Sequence, residues 1–205
     1  PLVPRDLRLE VAERLDRDGR VVEVLDEAAV RAAFRTLLEA GVEAVGVCFL
    51  HAYRNPEHEQ AVGRIAREEF PELAVSLSAE VVAEMWEYQR CVTTCANAYV
   101  QPLMDRYLKR LERELAARGF TGALRLMHSA GGLVSPATAR AFPIRLLESG
   151  PAGGGLATAL FGELAGKKDV ISFDMGGTTA KACMVEGGRV EICLLYTSPS
   201  PRDVE

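Results

Sequence analysis

The apolar positions of the first eighty residues follow two periods in turn, one typical of helices and one typical of strands. An apolar stripe at helical spacing follows Asp26, a residue type that often caps a helix start. Residues 42–50 and 74–78 are apolar runs of the length expected for buried strands. Between them, Asn55 and Pro56 are typical of a second helix start. Helix, strand, helix, strand at this spacing predicts an α/β fold with parallel crossover units.

The pattern continues on both sides of these units. Residues 7–15 and 21–25 flank a turn-forming sequence and predict a hairpin. Residues 82–118 carry apolar positions at helical spacing, which predicts a long helix that Pro102 should kink or divide. A short strand, a helix over residues 152–164 and a final hairpin complete the expected order.

Composition and charge are those of a soluble globular protein. Of the 205 residues, 48% are hydrophobic and 26% are charged, and the formal net charge is −5. This charge argues against a nucleic-acid surface, which usually carries a basic stripe. No apolar run reaches the roughly 18 residues of a membrane span, so we expect no membrane partner and a cytoplasmic location.

The cysteines fit a reduced, cytosolic setting. Cys48 and Cys183 lie in apolar runs and are expected to pack as small hydrophobic residues. Cys91 and Cys95 are four residues apart on the predicted long helix and therefore share a face. They could chelate a metal, but no further Cys or His pair stands at zinc spacing, so packing is the favoured interpretation.

The most informative motif lies between two apolar runs, at residues 174–181, and predicts strand, glycine turn, strand. Gly176 and Gly177 let backbone N–H groups approach phosphate oxygens without an intervening side chain. Thr178 and Thr179 add hydroxyl donors, and Asp174 can hold Mg²⁺ directly or through water. The alternative is an ordinary hairpin in which the two glycines form a primed turn.

Three upstream stretches complete a wider pattern. They are residues 87–100 (EYQRCVTTCANAYV), 128–133 (HSAGGL) and 148–155 (ESGPAGGG). In this order and spacing, and together with the glycine motif at 174–181, they resemble the hydantoinase A and 5-oxoprolinase family. That family also includes the nucleotide-binding subunits of acetone-type carboxylases. The resemblance runs from about residue 7 to residue 192.

The resemblance implies an α/β fold of the actin, sugar kinase and Hsp70 superfamily, built from ribonuclease-H-like domains. Residues 1–80 are then expected to be the C-terminal part of the N-terminal ribonuclease-H-like domain. Residues 81–192 are expected to form a hydantoinase A-type domain, with linking helices, opening strands and the phosphate loop. The second phosphate loop is expected before Pro1 and the adenosine pocket after Glu205, so the chain is interpreted as an internal piece of a longer protein.

The last segment, residues 193–205, departs from the pattern of the rest. It resembles the conceptual translation of a DNA sequencing adaptor, and we excluded it from the fold prediction. The alternative interpretation is a genuine linker rich in serine and proline.

The resemblance implies an ATP-dependent hydrolase subunit that opens a cyclic amide such as a hydantoin or 5-oxoproline. The implied cofactors are ATP and Mg²⁺, and the implied chemistry is phosphoryl activation of the ring carbonyl. The implied partner is a second catalytic subunit or domain of the same enzyme. Three alternatives stay open: an ATP-dependent ketone carboxylase subunit, a small-molecule kinase, and an actin-like nucleotide switch without a small-molecule substrate.

The candidate site residues follow from these motifs. Asp174 is the expected catalytic and metal-binding residue. The expected cofactor-binding residues are Ser149, Gly150, Gly153, Gly154, Gly176, Gly177, Thr178, Thr179 and Lys181. The expected substrate-side residues are His128, Ser129, Gly131 and Gly132. The alternative for the glycines at 150–154 is a close helix contact, and for residues 129–132 a plain turn.

Two positions depart from the family pattern. Lys181 stands where much of the family carries aspartate, and it could neutralise phosphate charge or point into solvent. Ala79 stands where many members carry a histidine between serine and glutamate, which puts the substrate or the reaction in doubt. Elsewhere, Asn97 is expected to bridge elements, Arg90 to form a salt bridge, and His51 and His58 to lie at the surface.

Overall fold

The computed structural model describes residues 2–177 and 180–190, which form a mixed α/β structure of two compact units. The first unit comprises Pro1–Leu124 and Ser135–Ile144. The second unit comprises Arg125–Val134 and Arg145–Glu205. The predictions for Thr178, Thr179 and residues 193–205 lie outside the described residues.

The first unit contains four strands and five α-helices within its described part. In chain order these are β1 (Arg14–Leu15), β2 (Val21–Glu23), α1 (Glu27–Glu39), β3 (Ala44–Val47), α2 (Glu57–Glu69), β4 (Ala74–Leu77), α3 (Ser78–Val81), α4 (Glu87–Ala117) and α5 (Pro136–Ala141). Short 3-10 helices occur at Arg5–Leu7 and Pro143–Leu146.

The predicted crossover and hairpin are both present. β3 and β4 pair in parallel, with Ala44 opposite Ala74 and Val47 opposite Leu77. β1 and β2 form the antiparallel hairpin, which is shorter than the apolar runs predicted. The Asp26 carboxylate accepts a hydrogen bond from the Ala29 N–H at 2.9 Å and so caps α1 as expected. The apolar faces of α1 and α2 pack with the β3–β4 sheet in one core. This core includes Val30, Phe34, Val47, Val62, Ile65, Phe70 and Leu77.

The helix α4 is continuous through Pro102. The expected division of this helix is therefore wrong. A proline in a helix interior removes one hydrogen bond, yet contacts with neighbouring elements can hold the helix together. α4 packs along β3, β4 and α5, and these contacts span both sides of the proline.

The buried amide of Asn97 joins α4 to three other elements, namely β4, α5 and the 3-10 helix at Pro143–Leu146, as the sequence predicted. Its Nδ2 donates to the Ser76 hydroxyl at 2.9 Å and to the Ala141 carbonyl at 3.0 Å. Its Oδ1 accepts from the Ile144 N–H at 3.2 Å. Because these polar groups are hydrogen-bonded, the burial of Asn97 needs no catalytic role to account for it.

The two histidines of this unit are not surface residues. His58 is buried on α2, where its Nδ1 lies 2.7 Å from the Glu13 carboxylate. His51 is half-buried and adopts a left-handed backbone conformation, with φ of 58°. The surface prediction was wrong for His58 because Glu13, 45 residues away, provides a partner for its ring, which no local pattern records.

The second unit is built around a small antiparallel sheet. Its elements are β5 (Leu126–Met127), β6 (Leu133–Val134), α6 (Ser149–Leu164), β7 (Val170–Met175), β8 (Ala180–Glu186) and β9 (Arg189–Val190). β8 lies between β7 and β9 in the three-stranded sheet, and β5 pairs with β6. α6 packs on one face of the larger sheet, and the other face exposes Ile171, Phe173, Met175 and Met184.

The contact between α6 and the sheet depends on glycine at two positions. A Cβ on Gly155 would lie 3.1 Å from the Cys183 sulfur. A Cβ on Gly162 would lie 2.8 Å from the Lys167 carbonyl oxygen, which is closer than atoms can approach. Gly153 instead has room, since its Cβ would lie 3.7 Å from Met127.

Gly162→Ala is expected to destabilise the second unit by about 1–2 kcal/mol, because the clash outweighs the gain in helix propensity. Gly153→Ala, on the same helix, is the matched control and is expected to stabilise it by up to about 1 kcal/mol. Amide hydrogen exchange of β7 and β8 measures both effects. Equal exchange rates in the two variants would contradict the close packing at Gly162.

Candidate functional site

The candidate site lies in the second unit, where α6 begins beside the glycine turn between β7 and β8. Gly162 of α6 lies next to Val170. A Cβ added to Gly154 would lie 3.6 Å from the Ser172 hydroxyl oxygen. α6 therefore runs antiparallel to β7. Its first turn points toward the end of β7 that carries Asp174.

Asp174 and Lys181 lie side by side on the sheet face that packs against α6. Successive side chains of a strand alternate between faces, so Asp174 shares a face with the buried Ser172. Asp174 is directly opposite Lys181 in the register of β7 and β8. The structure thus brings the predicted carboxylate, the predicted lysine and the α6 start to one end of one face.

The Lys181 ammonium forms an ion pair with Glu148, the residue that precedes α6. Glu148 also donates its backbone N–H to the Ser129 hydroxyl at 3.0 Å. The Lys181 side chain is therefore held in an exposed ion pair. Its charge is compensated by Glu148, which begins the 148–155 motif but was not among the predicted site residues.

The loop at residues 128–132 is joined to the same helix start. Ser129 donates its N–H to the Arg145 carbonyl at 2.8 Å, and the His128 Nδ1 accepts from the Ala130 N–H at 3.0 Å. Gly131 and Gly132 adopt φ values of 79° and 88°, which other residues rarely adopt. The glycines thus form the turn between β5 and β6, while Ser129 faces Glu148.

The predicted glycines divide into two groups by their surroundings. A Cβ on Gly150 or Gly177 would meet no atom within 4 Å, so the backbone at the helix start and at the turn is open. Gly153 and Gly154 instead contact Met127 and Ser172. These two glycines therefore have a packing role, and their contact with a cofactor stays a prediction.

These groups fit a phosphate and its magnesium ion. No described side chain caps the start of α6, and open N–H groups at a helix start favour anions. Asp174 is exposed at the adjoining strand end. Within residues 2–177 and 180–190, no three acidic, His or Cys side chains are grouped as a metal centre requires. A single carboxylate suits Mg²⁺ carried in with phosphate oxygens, because Mg²⁺ keeps several waters.

A buried carboxylate in the first unit was not predicted. Glu59 of α2 is fully buried, and it accepts hydrogen bonds from the Phe49 N–H, the Ala79 N–H and the Ser78 hydroxyl at 2.6–2.9 Å. Burial raises the pKa of Glu59, and these three hydrogen bonds oppose the rise. No local signal marks it, because Glu59 lies in a polar stretch of sequence.

Arg90 does not form the expected salt bridge. This buried side chain donates to the Phe49 carbonyl at 2.6 Å and to the Glu84 carbonyl at 3.3 Å, and it lies 5.6 Å from the Tyr53 ring centre. The guanidinium thus links the start of α4 to the segment after β3. Its role is to hold elements of the first unit together.

The fold and site define a mixed α/β protein in which a glycine turn between strands lies beside a helix start. A family model described as hydantoinase/oxoprolinase matches residues 90–199, and one for the N-terminal region of that family matches residues 1–70. The chain belongs to the hydantoinase/oxoprolinase family, which confirms the resemblance noted from its motifs.

Relatives in this family carry different activities in their names. The chain is 36% identical to the acetophenone carboxylase gamma subunit of Aromatoleum aromaticum, over 90% of this chain and 26% of that one. It is also 36% identical to caprolactamase subunit alpha of Pseudomonas jessenii, over 92% of this chain and 27% of that one. The 5-oxoprolinase of Saccharomyces cerevisiae is 34% identical over 84% of this chain and 13% of its own length.

A solved structure supports the same relationship. The crystal structure of the ATP-dependent caprolactamase from Pseudomonas jessenii matches with a TM-score of 0.81 and 35% identity, covering 89% of this chain and 26% of that one. The chain therefore spans about a quarter of the length of the carboxylase and caprolactamase subunits it matches. Among the described residues, no helix combines the length and the apolar character that crossing a bilayer requires.

Proposed function

We propose that this chain is part of an ATP-dependent enzyme that opens a cyclic amide by phosphoryl activation of the ring carbonyl. Two named relatives, a caprolactamase and a 5-oxoprolinase, support a ring amide as substrate. The observation that carries the proposal is the placement of Asp174 and Lys181 beside the open start of α6. Relatives named as subunits support a second catalytic subunit or domain as partner.

The fold is part of this proposal. We infer that the chain carries parts of an actin-like pair of ribonuclease-H-like domains, with residues 1–80 and 81–192 divided as the resemblance implies. The exposed apolar face of the β7–β8–β9 sheet supports this, since sheets of α/β domains are covered on both faces. A cytoplasmic setting, in which thiols stay reduced, belongs to the same proposal.

Each residue of the site has a distinct part. Asp174 would hold Mg²⁺, and the backbone at Gly150, Gly176 and Gly177 would face phosphate oxygens. Bound Mg-ATP would supply the phosphoryl group that turns the ring carbonyl oxygen into a leaving group. Phosphoryl transfer depends mainly on positioning and charge compensation, which are what these residues offer.

Lys181 and Glu148 would act as an exchangeable pair. A phosphate arriving at the α6 start brings negative charge next to Glu148, which opposes binding. The Lys181 ammonium would then exchange the Glu148 carboxylate for a phosphate oxygen, because Glu148 holds it beside the α6 start. The pair thus keeps the lysine in place before the phosphate arrives.

The substrate side of the site would be the loop between β5 and β6. Ser129 is linked to Glu148, so its hydroxyl lies close to the α6 start. His128, Gly131 and Gly132 belong to the same turn, and the His128 Nδ1 is engaged by the Ala130 N–H. The His128 Nε2 is therefore the nitrogen we propose for a substrate contact.

A second candidate function is ATP-dependent carboxylation of a ketone. The identity to the acetophenone carboxylase subunit equals that to the caprolactamase subunit, so identity alone favours neither reaction. Under this proposal, both reactions would activate an oxygen by phosphoryl transfer. Products separate them: a ring-opened amino acid indicates the hydrolase, and incorporation of labelled bicarbonate indicates the carboxylase.

Titration of the 205-residue chain with inorganic tripolyphosphate and Mg²⁺ tests the phosphate site. We expect the largest backbone amide NMR shifts at Gly150, Gly176 and Gly177. Lys181→Met should weaken tripolyphosphate binding about tenfold, because it removes one hydrogen bond to a charged group. Glu148→Gln should strengthen it about threefold, because the competing carboxylate of an exposed ion pair is removed.

Glu186→Gln serves as the control, since Glu186 lies on β8 at the end far from the glycine turn. It should leave the affinity unchanged. Shifts confined to other parts of the chain, or equal affinities in the Lys181 and Glu186 variants, would exclude a phosphate site at this position.

A further inference from the structure

Three cysteines of the first unit lie together at the junction of β3 and α4. Cys48 follows β3, and Cys91 and Cys95 lie one turn apart on α4. Arg90 of α4 contacts Phe49 while Cys95 packs against Gly46, so α4 runs antiparallel to β3 and Cys91 lies at the level of Cys48. All three are free thiols, and Cys91 is exposed while the other two are half-buried.

Neighbouring contacts hold Cys48 and Cys91 in place. Arg90, the residue before Cys91, donates to the carbonyl of Phe49, the residue after Cys48, at 2.6 Å. α4 also packs closely on β3, because a Cβ on Gly46 would lie 3.6 Å from the Cys95 backbone. Cys48 shares a strand face with Gly46, and Cys91 lies one helical turn from Cys95, so the two side chains lie on facing sides of this junction.

The environment makes the three thiols chemically unequal. The hydrogen bond with Cys48 lowers the pKa of Cys91 to about 6, and the nearby charges of Arg90 and Arg8 act in the same direction. The same hydrogen bond raises the pKa of Cys48, and burial raises the pKa of Cys95 to about 11. Deprotonation is therefore favoured at the exposed Cys91 and opposed at Cys48 and Cys95.

We propose that Cys91 is an oxidation site for hydroperoxides and that Cys48 is its resolving thiol, forming a disulfide between the end of β3 and the start of α4. The inference is independent of the proposed ATP-dependent reaction. It rests on the juxtaposition of these side chains in the first unit, and the oxidant is a hydroperoxide supplied from solution.

The reaction proceeds in two balanced steps. The Cys91 thiolate attacks the peroxide, an S–O bond forms as the O–O bond breaks, and the departing oxygen leaves as water or alcohol after taking a proton. The Cys48 sulfur then attacks the Cys91 sulfenic acid, an S–S bond forms, and the hydroxide leaves with the Cys48 proton as water. The two sulfurs together lose two electrons, which the peroxide accepts.

Mass spectrometry of the 205-residue chain tests this directly. The reduced chain is treated with one equivalent of hydrogen peroxide, alkylated with N-ethylmaleimide under denaturing conditions and digested with trypsin. Cys48 falls in the peptide of residues 36–54, and Cys91 and Cys95 both fall in the peptide of residues 91–106. We expect these two peptides to be linked, with the maleimide on Cys95.

The variants separate the roles of the three cysteines. Cys91→Ser should abolish the link, and Cys48→Ser should leave a sulfenic acid on Cys91 that dimedone traps. Cys95→Ser should retain the link at the wild-type yield. In the wild-type chain, Cys91 should lose its free thiol at least tenfold faster than Cys183 of the second unit.

Three results would overturn the proposal. One is oxidation of Cys91 no faster than that of Cys183. Another is a disulfide within the single peptide of residues 91–106. The third is loss of the link in the Cys95→Ser variant. The rates and the linked mass are read from the wild-type chain, so the first two do not depend on any variant folding.

Discussion

Asp174→Ala is expected to lower ATP turnover by about 10³-fold in the enzyme assembled with its full complement of subunits. Asp174 is the carboxylate opposite Lys181 on the sheet face at the α6 start. Without it, Mg²⁺ and the phosphates it neutralises lose the protein ligand proposed for them at the glycine turn. Phosphate release at saturating cyclic amide, measured over a range of Mg²⁺ concentrations, gives the effect.

Two comparisons make this result specific. Asp174→Asn keeps one oxygen and the size of the side chain, so high Mg²⁺ should restore part of its activity. Glu186→Ala removes a carboxylate from the same sheet, away from the glycine turn, and should change turnover less than about twofold. Near-normal turnover of Asp174→Ala with an unchanged Mg²⁺ requirement would remove Asp174 from the site.

Folding provides the check on this variant. Asp174 is exposed, so its loss should not unfold the second unit. Amide exchange of β7 and β8 should stay within the range of the wild-type protein. Fast exchange there, together with lost activity, would assign the effect to folding and would contradict the proposed role of Asp174 in binding metal.

Glu59→Ala is expected to destabilise the first unit by about 3–5 kcal/mol. The substitution leaves the Phe49 and Ala79 N–H groups and the Ser78 hydroxyl without their acceptor, and it also opens a cavity. Urea unfolding followed by tryptophan fluorescence measures the change. The chain contains a single tryptophan, Trp86, which lies in this unit next to α4.

Glu59→Gln is the matched control, because it keeps the shape and one acceptor oxygen. It should cost about 1–2 kcal/mol at neutral pH. Asn97→Ala, which also removes three hydrogen bonds in this unit, should have an effect on the same scale as Glu59→Ala. A loss below about 1 kcal/mol for Glu59→Ala would show that water replaces the carboxylate and that the network is not buried.

The stability difference between the wild type and Glu59→Gln should depend on pH, and the raised pKa of Glu59 sets the direction of that dependence. Burial raises the pKa of Glu59 above its ordinary value of 4.5, so the folded protein holds a proton that the unfolded chain has released. The stability that the wild type gains from this proton is fully present below about pH 4.5. This stability is lost as pH rises through the pKa of Glu59 in the folded protein. The difference in unfolding free energy between the wild type and Glu59→Gln should therefore decrease, by at most about 1.4 kcal/mol per pH unit.

Local patterns predicted those parts of the fold that short segments control. Asp26 capped α1 as expected because its carboxylate reaches an N–H only three residues away. The parallel pairing of β3 and β4 followed from two apolar runs separated by a helix-length segment. The same local reasoning failed at Pro102, because contacts of α4 with other elements outweigh the single hydrogen bond that proline removes.

The candidate site was predictable in part. The glycines and Asp174 carry a recognisable sequence signature, so the motif and the family could be found from the chain alone. The partner of Lys181 could not, because Glu148 lies 33 residues away and belongs to a different element. Glu59 was missed because nothing in its neighbouring sequence distinguishes a buried carboxylate from an exposed one.

The order of elements, the glycine turn and the membership of the hydantoinase/oxoprolinase family could be predicted from the residues alone. These depend on spacing and on backbone freedom, which neighbouring residues encode. Which polar and thiol side chains meet became known only from the folded structure. Arg90 and Phe49, 41 residues apart, join the segments that also bring Cys48 to Cys91. Such encounters depend on the packing of whole helices on strands, and no local pattern records them.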